Sequence, residues 1–92
     1  MALPVRRSRV RLAPFPKASS QARRSVAALL EGADAERVTS SLAVVVSELV
    51  NNAVLYGSRS EAIMMEVRQT QDWIEVRVQN RGKRLRMKEI RR

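Results

Sequence analysis

Apolar residues recur along this chain with two different periods, and the switch between them sets out the fold. In "RVRLAP" (9–14), Val10 and Leu12 alternate with arginines, which predicts a short edge strand; Pro14 and Pro16 then end regular structure. From Ser19 or Ser20, either able to cap a helix, the spacing becomes helical to about Glu31. Ala22, Val26, Leu29 and Leu30 share one face, Arg23 and Arg24 point away, and Gly32 closes the segment. Asp34 caps a second helix and Glu36 suits its positive end. At about 100° per residue, Val38, Leu42, Val46, Leu49, Ala53 and Tyr56 fall in a stripe about 80° wide, which predicts the core face. Gly57 and Ser58 stop this helix. Period-2 alternation returns in "AIMMEVR" (62–68) and "WIEVRVQ" (73–79), and the polar link "QTQD" between them makes a β-hairpin. Each strand has one apolar face, so the sheet needs a cover on one side. The expectation is an α+β, two-layer α/β sandwich of order β-α-α-β-β, its mainly antiparallel sheet covered by two helices. The segment "RLRMKEI" fits a strand, a helix or neither.

One carboxylate and two amides, Glu48, Asn51 and Asn52, interrupt the apolar run "VVVSELVNNAVLYG" (44–57). Glu48 and Asn52, four apart, stack one turn above the other at the border of the core stripe, with Val45 beside them. Asn51 points roughly opposite the core and reads as solvated. Tyr56 and Trp73 read as packing residues rather than base-stacking ones, and Met64, Met65 and Met87 as core or edge filler rather than a cofactor box.

Composition narrows the chemistry. Ninety-two residues make one domain. No cysteine or histidine is present, which excludes disulfides, thiolate sites, a Cys nucleophile and the usual neutral-pH base. No continuous apolar run matches a membrane span and the N-terminus lacks the hydrophobic stretch of a signal peptide, so a cytoplasmic location is the default expectation. The net charge is +9, of which residues 1–11 carry +4 and residues 81–92 carry +6, leaving −1 for residues 12–80. A basic arm (1–8), a folded domain (9–82) and a basic tail (83–92) follow from that distribution. Without a recognition motif beside the charge, nucleic acid is not the expected partner.

The 44–57 run resembles the N-box of the GHKL superfamily of ATPases (the Bergerat fold). It is most similar to the small anti-sigma-factor serine kinases, whose helix reads S-E-L/A-V-x-N-A-V-x-H-G. Ser47, Glu48, Leu49, Val50, Asn52, Ala53, Val54 and Gly57 match in register, and Asn80-Arg81-Gly82 stands where the family has Asp-x-Gly. The resemblance implies ATP or ADP with Mg²⁺ as ligand, Asn52 as metal and nucleotide residue, and Glu48 as the base accepting a proton from the attacking hydroxyl. It implies that Asn80 and Gly82 contact the adenine. It also implies transcriptional regulation through a sigma factor or its antagonist, and the exposed strand edge of so short a chain suggests a homodimer.

Three departures from the pattern bear on activity. Asn80 keeps a carbonyl acceptor but lacks the carboxylate, and Leu55 stands where a basic residue is common. Ten residues follow Gly82, and the family's lid, second glycine-rich box and final helix and strand have no counterpart in them. Kinase turnover is therefore expected to be weak or absent. The alternatives are an interaction module of the same fold that binds no nucleotide, and a basic nucleic-acid binder.

Overall fold

The computed structural model describes residues 6–30, 35–57, 60–80 and 86–91, with the backbone alone for 35–36, 86–87 and 90–91. Six elements follow in order: β1 (Arg6–Leu12), α1 (Ala18–Leu29), α2 (Ala35–Tyr56), β2 (Ile63–Gln69), β3 (Trp73–Asn80) and β4 (Arg86–Arg91). The strands form one antiparallel sheet in the order β1-β2-β3-β4, so β1 and β4 are its edges. Both helices pack on one face, α1 over β1 and α2 over β3, β4 and β2. The α+β sandwich expected from the periodicities is present, with one strand more.

Alternation explains the sheet. Ile63, Met65 and Val67 of β2 and Ile74, Val76 and Val78 of β3 are buried under the helices, joined by Leu12 of β1. The opposite face is charged. Arg9, Glu66 and Arg77 stand side by side across three strands, with Arg9 Nε donating to Glu66 at 3.0 Å. Next to them Glu75 Oε1 lies 3.4 Å from Arg68 and 3.3 Å from Arg77. A depression of about 300 Å³ opens on this outer face between Arg9, Met64, Glu66, Arg77 and Gln79.

Several local expectations change. Neither Ser19 nor Ser20 caps α1: the N-cap is Lys17 with no side-chain cap. A backbone turn takes that role, the Ala18 N–H donating to the Phe15 carbonyl at 2.9 Å, while the Ser20 hydroxyl donates to the Lys17 carbonyl. Leu30 is already extended, and Gly32 and Asp34 lie outside the described residues. Tyr56 is 69% exposed rather than in the core, and Trp73 is 44% exposed. Tyr56 stands five full turns after Val38, at the same angle around α2 as that buried residue, so the cause is its position as the last residue of the helix and not the side it faces. Trp73 occupies the alternate position to Ile74 and so falls on the uncovered face. β1 begins at Arg6, inside the stretch read as an arm, and β4 forms within the stretch read as a tail.

Length and composition alone would let Arg37–Tyr56 cross a membrane. Its apolar stripe is instead used against the sheet and α1, and Glu48, Asn51 and Asn52 occupy its other sides. It is the core helix of the sandwich.

Candidate functional site

The two flanks of α2 differ. Ser47 marks the flank toward α1: Arg23 Nη1 of α1 donates to Ser47 Oγ at 2.8 Å and to Ser19 Oγ at 2.9 Å, bridging the helices. Asn52 lies five residues further along, about 140° around the helix from Ser47 and beyond the buried stripe. It therefore faces away from α1, on the side where α2 overlies β3 and β4. Glu48 shares that side and lies closer to the exposed crest. Asn51 is exposed.

Their environments suit different roles. Asn52 is half-buried and Glu48 exposed, and neither side chain makes a hydrogen bond or ion pair to a described residue. A half-buried amide with its acceptor and donors uncommitted is open to a ligand; so is a carboxylate one turn away. Among the described residues no cluster of three or more Asp or Glu could hold a metal by itself. A cation at Asn52 would need oxygens from elsewhere, as Mg²⁺ on a polyphosphate has.

Asn80 ends β3 beneath the C-terminus of α2. It is 3% exposed, and its Nδ2 donates to the Glu61 carbonyl at 3.1 Å. Only an NH₂ can donate there, so the amide orientation is fixed and Oδ1 is turned toward Gly57. A Cβ at Gly57 would stand 2.9 Å from Asn80 Cγ and 3.1 Å from Oδ1, and would press on the Ala53 carbonyl. The absent side chain is what lets α2 close onto β3. Thus Glu48 and Asn52 stand on α2 and Asn80 beneath its C-terminal end. Asn80 is enclosed, whereas Glu48 and Asn52 are open. Gly82 lies outside the described residues.

The side of the site formed by β4 was not found from sequence. Lys88 pairs with Val76, whose side chain is buried under the helices, so Lys88 is on the helix-bearing face of the sheet; yet it is exposed. The signal was present only as a weak alternation in "RMKEIR", with charged residues at the positions that pair with Val76 and Val78.

A family model described as histidine kinase-like ATPase domain matches residues 12–91. That span runs from the end of β1 through β4 and contains every residue of the candidate site. No curated protein matches the chain significantly.

Proposed function

The chain belongs to the family of histidine kinase-like ATPase domains, and from that premise we propose that it is a nucleotide-responsive regulatory module that binds ATP or ADP with Mg²⁺ beside α2. The observation carrying this reading is the pair of uncommitted side chains, Glu48 and Asn52, on the flank of α2 turned away from α1. Asn52 would offer its amide oxygen to the metal, and Glu48, one turn earlier, would accept the proton of an attacking hydroxyl. ATP, when bound, would supply the transferable γ-phosphoryl group and leave as ADP. Exposure of Glu48 leaves its carboxylate accessible to a protein substrate. The resemblance to anti-sigma-factor kinases supports a protein partner of the sigma-factor or antagonist class, and a serine as acceptor.

The test is titration of a fluorescent ADP analogue with and without Mg²⁺. Binding should depend on Mg²⁺ and be lost in Asn52→Ala, while Glu48→Ala, which removes the proposed base and not the metal residue, should still bind. No binding by the wild-type chain at millimolar nucleotide would overturn the reading.

A second reading is favoured by one specific observation. Asn80 is enclosed and its amide is committed to the Glu61 carbonyl, an arrangement that ties the chain entering β2 to the end of β3 rather than offering an edge to a base. On that reading the fold serves as a protein-binding surface. Retention of a partner by Asn52→Ala and Glu48→Ala, together with absence of nucleotide binding, would select it.

A further inference from the structure

We propose that Lys88 is the phosphate-reading cation on the flank where α2 packs over β4, an inference that rests on the nucleotide-binding reading above. Strand β4 is an edge, one strand spacing beyond β3, and α2 packs on both. The pairing of Lys88 with Val76 places it on the side of the sheet that carries the helices. There the side chains of β2 and β3 form the core. Lys88 is exposed and makes no ion pair among the described residues, so the edge of the helix layer leaves solvent access to this position.

Its height along α2 follows from the contact at the helix end. Gly57 sits on Asn80. Val76 lies four residues before Asn80, about 13 Å along the strand at ~3.3 Å per residue. The same distance along α2, at ~1.5 Å per residue, reaches back about nine residues from Gly57 and arrives at Glu48. Lys88 is thus level with Glu48 and within one further helical turn of Asn52, on the flank that both residues face. A metal held at Asn52 would place the phosphates on that flank. They require a cation, and no Lys or Arg stands on α2 between Val38 and Gly57 to supply one. An ammonium on a four-carbon stem has the reach and the three donors for a phosphate.

The opposing explanation is that an inward-facing lysine merely keeps an edge strand from pairing with another chain. Calorimetric titration at low salt separates the two, using Mg·ATP, adenosine and inorganic tripolyphosphate against the wild type, Lys88→Gln and Arg7→Gln. Arg7 removes the same charge from the opposite edge and face, so it controls for the net positive charge. Expected is a loss of about tenfold for Mg·ATP and tripolyphosphate in Lys88→Gln, adenosine being unchanged and Arg7→Gln staying within about twofold. Equal Mg·ATP affinity in Lys88→Gln and wild type would overturn the inference and leave the nucleotide reading intact. So would equal losses in the two variants, which signal charge alone, or a parallel loss for adenosine, which signals a distorted site. Lys88-dependent binding of tripolyphosphate without any binding of ATP would uphold Lys88 as an anion contact while the nucleotide reading falls. If the wild type binds none of the three ligands, both fall.

Discussion

Replacement of Gly57 by alanine tests how α2 is joined to the sheet, because two physical effects oppose each other there. Removing a glycine restricts the unfolded chain and favours the folded state by about 0.4–1 kcal/mol where the native backbone accepts a side chain. Against this stands the room for the methyl carbon: 2.9 Å to Asn80 Cγ, 3.1 Å to Asn80 Oδ1, and overlap with the Ala53 carbonyl oxygen. That oxygen cannot yield freely, since it accepts the Gly57 N–H at 2.9 Å. Asn80 cannot yield either without losing its bond to the Glu61 carbonyl. Overpacking of this kind costs about 1–3 kcal/mol. The balance is a loss of about 1–2 kcal/mol, a large fraction of the stability of a domain this size. Urea denaturation should show a lower midpoint at unchanged slope, and the melting temperature should fall by about 4–8 °C per kcal/mol. In an Asn80→Ala background the same substitution should cost less, because the side-chain part of the clash is gone. A Gly57→Ala protein as stable as the wild type, or more so, would refute the close approach of α2 to β3.

Two further outcomes follow from polar contacts. Arg23→Ala removes the bridge from α1 to Ser47 and should destabilise by about 1 kcal/mol; Ser47→Ala should add little in that background, as a double-mutant cycle by thermal denaturation would show. The Glu66 carboxyl is held below its ordinary range, first by the hydrogen bond from Arg9, with burial opposing and the charges of Arg9, Arg7 and Arg77 adding to the lowering. A lowered folded value means that this stabilisation is complete above the unfolded value near ~4.3 and fades as pH falls through the folded one. Urea midpoints of wild type and Glu66→Gln measured downward from pH 5 should converge.

The sequence made most of the sandwich legible because its core-forming positions carry clean periods. Val10 and Leu12, Ile63 to Val67 and Ile74 to Val78 alternate, and Val38, Leu42, Val46 and Leu49 keep helical spacing; all are strongly or partly buried. What escaped depends on partners distant in sequence. Tyr56 fits the helical stripe of α2 and shares the angle of buried Val38, but it is the last residue of the helix, and no local period encodes where the covering layer stops. β4 lacked a hydrophobic alternation because its helix-side position opposite Val76 is a lysine at an open edge. By charge alone the same lysine belongs to the basic run 81–92, so the candidate site is legible on α2 and illegible on the strand beside it. The role of Asn80 turned on a carbonyl 19 residues away.

That carbonyl makes Asn80→Asp informative. The family pattern has an aspartate at this position, so the substitution restores the residue expected to read an adenine amino group. In this chain the change also replaces a donor by an oxygen facing the Glu61 carbonyl, and does so at a side chain only 3% exposed. Two acceptors then oppose each other, and an ionised carboxylate loses most of its water. The expected cost is about 1–3 kcal/mol or more at neutral pH. Protonation relieves it, because a neutral carboxyl can donate to the Glu61 carbonyl as the amide does. The folded value of the new group should therefore lie above the unfolded value near ~3.9. Its stabilising form is present below that unfolded value and lost as pH rises through the folded one. Urea midpoints should show Asn80→Asp close to the wild type near pH 4 and well below it at pH 7. A deficit independent of pH would mean that Asn80 does not depend on its donor. If Asn80→Asp is as stable as the wild type at pH 7 and binds ADP more tightly, the side chain opens toward a base after all, and the enclosed arrangement would be wrong.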